Sequence, residues 1–422
     1  MKRTGIKILF WKLLDYLEYP YKLVPDKEEL FPRFGNSYLK IYLWLYTLKN
    51  EIKEWKMNKK LGFLHCHPHP LAVNVWRSLI SLNPNNMGSW TQTGEENLRG
   101  TMKAEKNLIM SMIDLLGGNK KGWTGYVTSG ASEANLFAAW TGRNYLKEMS
   151  PKGTICMIIN PLTHYSVKKA ADITGIQCIE MGIDHNIWTI NPDVIRDKIK
   201  DLYNKGYTSF LVPLTLGYTQ TGANDNYKEI TNILLNLQKK IGIKCFIWLD
   251  AAINGLILPF TESNFFPLKA PGINLIALDF HKTGMCPIPS GIVLYRENFK
   301  KYISRKVAYL DQDDSTISGS RSGIAAAACL AIIKKLGKDG FKRLIGKTLV
   351  KKNKFIELIE SLNLDMEIFS EEKSLALALI CKKPLSDIFI NKFGIYAKKW
   401  KYKFDQKSES LYIYKINFAL KI

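Results

Sequence analysis

The chain has 422 residues, 46% of them hydrophobic and 12% aromatic, and a formal net charge of +22. That is ample for a large core and suits one large domain with a smaller one, while no apolar stretch is long enough for a membrane-spanning helix. The seven cysteines are scattered singly with no CxxC pair, which excludes a disulfide framework and fits reduced, buried thiols in a cytoplasmic protein. The positive excess admits a polyanion partner such as nucleic acid or an anionic membrane. It is mostly Lys, however, in a chain equally rich in Ile and Asn, as A/T-rich codons produce. Its runs, KKNK (351–354) and KKWKYK (398–403), are short, and no zinc-finger, RRM or KH signature accompanies them. No nucleic-acid partner is expected.

In chain order, residues 1–60 read as aromatic-rich helices broken near Pro20 to Pro32. The first twenty, MKRTGIKILFWKLLDYLEYP, are interrupted by Lys12 and Asp15 and lack a small-residue cleavage site. They predict an amphipathic packing helix, with membrane-surface contact as the other reading, rather than a signal peptide. In HCHPHP (65–70), three alternating histidines are of a type that binds metal. Pro68 and Pro70 restrict how they converge, so no metal is expected, and His65 and His67 are read as pocket-lining or turn residues. Asn74 and the segment NPNNMGSW (83–90), with Asn86 and Trp90, are assigned to the substrate pocket.

From about 120 to 300, short β-rich runs alternate with helical ones. Strands are expected at 124–128, 154–159, 176–181, 209–214, 244–249 and 273–278, which implies a mostly parallel, three-layer α/β fold. GIVLYR (291–296) follows too closely for a crossover helix and should run antiparallel. After about 320 come an Ala-rich helix, a Lys-rich helix and a small α+β region with strands near 374–381 and 411–419. The expected division is an N-terminal helical segment (1–82), a large domain (83–320) and a small C-terminal α+β domain (321–422).

Ligands of open α/β sheets bind beyond the carboxyl ends of the strands, and polar residues gather there. SGASEAN (129–135) joins a strand to a helix N-terminus, which favours an anion at Ala131 and Ser132; helix capping is the ordinary alternative. His164 precedes a helix. Thr219 and Asp225 follow another strand in TLGYTQTGAND. Asp250 ends an apolar strand, where an unpaired carboxylate is costly, and Ala251 and Ala252 leave room beside it for something flat. LDFHKTGMCPIPSG (278–291) places Asp279, His281 and Lys282 at the end of a further strand. Pyridoxal 5′-phosphate satisfies all of these. Lys282 would form a Schiff base, Asp250 would hold the pyridine nitrogen protonated, His164 and Ala252 would pack on opposite faces of the ring, and the helix at 132 would take the phosphate.

Over roughly residues 83–345 the chain resembles the group II pyridoxal-phosphate-dependent amino acid decarboxylases, which include the histidine, aromatic amino acid, glutamate and archaeal tyrosine/aspartate enzymes. TSGASEAN is similar to the family's SGGTEAN, THYS to HxS, DAAINGLILPF to DAAxGGxxxPF, and HKTGMCPIPSG to HKxxGCPxPSG. NPNNMGSW and YLDQDDSTISGSRSG (309–323) resemble segments of the histidine and archaeal branches. The resemblance implies fold type I with a seven-stranded sheet, an obligate homodimer with its active site at the subunit interface, and decarboxylation of an L-amino acid, histidine or aromatic favoured. Lys282 matches the Schiff-base lysine, His281 its neighbour, Asp250 the pyridinium partner and His164 the stacking base. Ala131, Ser132 and Asp279 fall at phosphate positions. Tyr309 matches a tyrosine on a mobile loop that protonates Cα in the neighbouring subunit, and Ser318 to Ser320 would lie near that subunit's phosphate. GASE in place of GGTE, GYT in place of GTT, and an end at YIYKINFALKI without the family's last helix are departures. A carbon–carbon lyase acting on a phosphorylated amino alcohol, an oxidative aldehyde synthase and a non-catalytic basic binding protein are the alternatives.

Overall fold

In the computed structural model, the described residues are 37–57, 61–62, 67–91, 98–308, 312–395, 397–404 and 407–420; His65 and Tyr309 lie outside them. The chain divides into two compact units, residues 1–60 with 391–394, and residues 61–390 with 395–422. In the first, helix α1 (Tyr38–Met57) carries exposed apolar side chains, among them Tyr38, Leu39 and Trp44.

In the second unit, α2 (Pro70–Leu79) begins at His69, whose ring Nδ1 accepts the Leu71 N–H. Proline at the first helical position needs no donor partner, so it suits that start. Helix α3 (Gly100–Leu115) leads to a seven-stranded sheet of order β1-β7-β6-β5-β4-β2-β3. Its strands are β1 (Trp123–Thr128), β2 (Thr154–Ile159), β3 (Gln177–Glu180), β4 (Tyr207–Thr215), β5 (Lys244–Asp250), β6 (Ile273–Asp279) and β7 (Gly291–Arg296). The block from β3 to β6 is parallel, and β7 runs antiparallel to β6 and β1 as expected.

Both faces of the sheet are covered, which is why its strands are continuously apolar. In β5, Cys245, Ile247 and Leu249 pack into one core layer, while Phe246 and Trp248 pack into the other. The first layer contains residues of α3, α6 (Pro192–Asn204), α7 (Tyr227–Ile241) and α8 (Gly323–Ser361); the second contains those of α4 (Ala131–Met149) and α5 (Tyr165–Thr174). The two helices expected after 320 are one element, α8, interrupted at Gly337, where φ is +57°. Strands β8 (Arg305–Val307) and β9 (Gln312–Asp314) form a hairpin. The last sheet is antiparallel, of order β10-β11-β13-β12, with β10 (Glu367–Phe369), β11 (Ala376–Cys381), β12 (Ala397–Phe404) and β13 (Lys407–Asn417). Among the described residues six cysteines are free, five of them buried. No helix among them is long and apolar enough to cross a membrane.

A buried ionic network fixes the segment 84–90 against this frame. Arg321 pairs with Glu105, and its second terminal nitrogen donates to Gly88 O at 2.7 Å. Glu105 also accepts from Val127 N at 2.7 Å and Asn86 Nδ2 at 2.9 Å.

Candidate active site

The site forms where the parallel strands end. β5 finishes in Asp250 and β6 in Asp279, while the turns after β1 and β2 deliver Ala131 and His164. A cleft between them is lined by Ala131, Ser132, His164, Thr219, Asp250, Ala252, Asp279 and Lys282, with Leu162, Thr215, Gly217 and Ile253.

The turn after β1 is tight enough to require glycine. A Cβ on Gly130 would lie 3.0 Å from the His281 ring, and one on Gly291 would lie 2.5 Å from Gly130 Cα. This close approach sets the N-terminus of α4 against the β6 end. Ala131 N donates to Asp279 Oδ1 at 2.7 Å, and Lys282 Nζ lies 3.0 Å from Asp279 Oδ2, with His281 Nε2 at 3.6 Å. Asp279 therefore holds the turn and the lysine in place. As a carboxylate bonded to the helix start, it would position Ala131 for an incoming phosphate. Ser132, one residue into the helix, is exposed to the cleft.

Asp250 is 5% exposed and accepts from Asn135 Nδ2 at 2.9 Å and Ala252 N at 3.4 Å. Among the described residues no ion pair neutralises it. A buried carboxylate left with neutral donors favours a cationic N–H partner. Asn135 also donates to Ser166 Oγ at 3.0 Å and accepts from Trp248 Nε1 at 3.0 Å. Ser166 Oγ in turn lies 2.8 Å from His164 Nδ1. Because Nδ1 also accepts the Ser166 N–H at the head of α5, the neutral ring carries its proton on Nε2. Burial pushes the His164 pKa below its ordinary value, Lys282 and Lys415 add to the fall, and Asp250 and Asp279 oppose it.

This geometry fits pyridoxal 5′-phosphate. The unneutralised Asp250 would meet the pyridine nitrogen, His164 and Ala252 would flank the ring, and Ser132 with the α4 N-terminus would receive the phosphate. Lys282 would reach the aldehyde carbon. The expected residues Ala131, Ser132, His164, Thr219, Asp250, Ala252, Asp279 and Lys282 thus converge on one cleft, and His281 supports it from behind the turn.

Of the residues assigned to a substrate pocket, the four described ones, His67, Asn74, Asn86 and Trp90, do not line this cleft within the chain. Asn86 is 1% exposed and bonded to Glu105 and Thr101; Trp90 is 5% exposed, with its indole N–H on Gly125 O at 2.8 Å. Both belong to the buried frame, because the NPNNMGSW segment is pinned by Arg321. Asn74 is exposed on α2, and His67 is exposed before it. Tyr218, the departure in GYT, turns away from the cleft. It is fully buried beside Leu162, Trp188 and Ile413, and its hydroxyl donates to Asp225 at 2.8 Å.

Sequence reading missed two contributors. Asn135 shows one signal, a polar residue amid small apolar neighbours in a helix. Lys415 shows none, because it lies 133 positions beyond Lys282 in the chain. It stands on β13 with its charge felt by both Lys282 and His164, and burial followed by Lys282 pushes its pKa down to about 8.

Comparison with known proteins agrees with this geometry. The family described as "Pyridoxal-dependent decarboxylase conserved domain" matches residues 102–382. The "Probable L-tyrosine/L-aspartate decarboxylase" of Methanococcus maripaludis is 31% identical over 318 residues, covering 73% of this chain and 77% of that one. The tryptophan decarboxylase of Clostridium sporogenes is 30% identical over 305 residues, covering 71% of each. Among solved structures, Catharanthus roseus tryptophan decarboxylase superposes with a TM-score of 0.78 at 16% identity, covering 100% of this chain and 94% of that chain, which bears on the fold alone. The chain belongs to the pyridoxal-dependent decarboxylase family and is a pyridoxal-phosphate-dependent amino acid decarboxylase.

Proposed function

We propose that the substrate is a histidine-type or aromatic L-amino acid, that the working form is a cytoplasmic homodimer, and that Lys415 receives the substrate's carboxylate. The observation that carries the substrate reading is the apolar lining of the cleft by Leu162 and Ile253; the carboxylate assignment rests on one further cation, Lys415, in electrostatic reach of Lys282 and His164. A lysine of lowered pKa beside a second lysine favours an anionic occupant between them. The apolar cleft residues Leu162 and Ile253 and the CPIPSG loop support a ring-bearing side chain, as does the tryptophan decarboxylase relative.

Bound pyridoxal phosphate supplies an electron sink for the carbanion left when CO₂ departs. The chain's own residues do the rest. Asp250, oriented by Asn135, would keep the pyridine nitrogen protonated. His164 in its neutral form and Ala252 would flank the ring. Lys282, with Asp279 as its counter-ion, would hold the aldehyde carbon. The partner's Tyr309 would supply the proton for Cα, and the loop at Ser318 to Ser320 would lie near the neighbouring subunit's phosphate.

The test is CO₂ release from a panel of carboxyl-labelled amino acids, with the cofactor supplied. Release from histidine or an aromatic amino acid supports the assignment. Release from aspartate or glutamate alone contradicts it, and silence from cofactor-loaded protein points to a lyase.

A further inference from the structure

Lys352 is fully buried in the second half of α8. All three of its ammonium donors go to backbone carbonyls: Glu371 O at 2.6 Å, Ser374 O at 2.8 Å and Glu372 O at 3.1 Å. An ammonium has three donors and no acceptor, so this set is complete. Such a lysine is costly to bury, and it makes no ion pair among the described residues. Its contacts define the one loop that joins β10 to β11.

That loop leads directly to the cleft. Ser374, itself fully buried, donates through Oγ to Asn254 Oδ1 at 3.2 Å. Asn254 lies two residues after Ala252 and is equally buried; its amide donates to Gly222 O at 3.0 Å and Asn224 Oδ1 at 2.8 Å, and its backbone N–H to Leu216 O at 3.1 Å. It is therefore bonded at both ends of the loop that presents Gly217 and Thr219, and it closes the segment that presents Asp250, Ala252 and Ile253. The packing leaves no slack. A Cβ on Gly217 would fall 2.9 Å from Asn254 Cγ, and one on Gly222 would fall 2.6 Å from Ser374 Oγ.

We propose that Lys352 is a positioning residue for the cofactor site. Acting through the 371–374 loop, Ser374 and Asn254, it holds the two strand-end segments that form one wall of the cleft at the separation a flat ring requires. This rests on the cleft being the pyridoxal-phosphate site. Residues in one hydrogen-bond network show non-additive effects, whereas independent damage to stability adds.

The experiment is a titration of pyridoxal 5′-phosphate into full-length apoprotein, followed by the visible circular dichroism of the bound cofactor. It compares wild type, Lys352→Met, Ser374→Ala, the double variant and Lys352→Arg. The relay predicts that each of the first two variants weakens binding at least about fivefold and alters the dichroic band. It further predicts that the double variant is no worse than the weaker single, within about twofold, and that Lys352→Arg recovers most of the affinity. Singles within about twofold of wild type, or a double equal to the product of the singles, would overturn it. Should Lys352→Met not fold, the pair Ser374→Ala and Asn254→Ser decides by the same criterion. A wild type that takes up no cofactor sinks the cofactor reading and the relay together; flat singles with a binding wild type sink the relay alone.

Discussion

Asn135 Nδ2 lies 2.9 Å from Asp250 Oδ2, and the same amide nitrogen reaches Ser166 Oγ at 3.0 Å. One helical side chain thus orients the carboxylate that would meet the pyridine nitrogen and, through Ser166, the histidine that would stack on the ring face. Replacing Asn135 by Ala leaves Asp250 buried with a single backbone donor. Losing such a partner costs about 1–3 kcal/mol, so kcat/KM should fall tenfold or more with little change in fold by far-ultraviolet circular dichroism. Unchanged kcat/KM would mean that Asp250 needs no such support.

Lys415 gives a pH signature. Burial and Lys282 push its pKa down to about 8, so the cation is present below that pH and disappears above it. If it receives the substrate carboxylate, KM should rise as pH passes about 8, and Lys415→Met should raise KM about tenfold at neutral pH, as loss of a charge-assisted bond implies. Lys415→Arg keeps its charge at all these values and should flatten the profile. A KM that is flat in wild type and in Lys415→Met removes Lys415 from substrate binding.

Asp225 gives a stability signature of opposite sense. It is fully buried, and desolvation raises its pKa to about 6 against the bonds from Ile190 N, Thr215 N and Tyr218 that pull it down. A carboxyl whose folded pKa lies above the unfolded one contributes stability below about pH 4, and loses it as pH rises through about 6. Relative to Asp225→Asn, wild type should therefore lose of order 3 kcal/mol between pH 4 and 6, at about 1.4 kcal/mol per unit. Urea midpoints at several pH values measure this; a constant difference contradicts it.

The Arg321–Glu105 pair is buried at 7% and 0% exposure. Removing one member of a buried pair leaves an uncompensated charge and costs about 3–5 kcal/mol. Arg321→Ala should lower the urea midpoint accordingly and release the 84–90 segment, seen as faster amide exchange at Asn86 and Ser89. A loss below about 1 kcal/mol would show that the bonds from Val127 N and Asn86 suffice for Glu105.

The architecture and the gathering of polar residues at the strand ends were legible in the sequence because both rest on local signals. Apolar runs of strand length ending in Asp250 and Asp279 announce buried parallel strands and their carboxyl ends. The glycine-bounded turns at 129–131 and 290–291 mark close backbone approach. The residues assigned to the substrate side depend instead on contacts distant in the chain. Asn86 and Trp90 stand in a motif that resembles pocket segments, yet Arg321, some 230 residues away in the chain, draws them into the frame. Tyr218 reads as a lost hydroxyl beside Thr219, but its ring fills an apolar cluster with Ile380 and Ile413 from the last sheet. Lys415 comes within electrostatic reach of Lys282 and His164 on β13, whose register against β11 pairs it with Ala378. No spacing rule connects such a residue to Lys282.

The most direct test of the central claim is to measure CO₂ release from carboxyl-labelled amino acids by wild type and Lys282→Ala side by side, both loaded with pyridoxal 5′-phosphate. Release by wild type that falls at least about a thousandfold in the variant is predicted, since covalent capture of the cofactor and exchange with substrate both pass through this amine. Equal release by the two proteins would contradict the account.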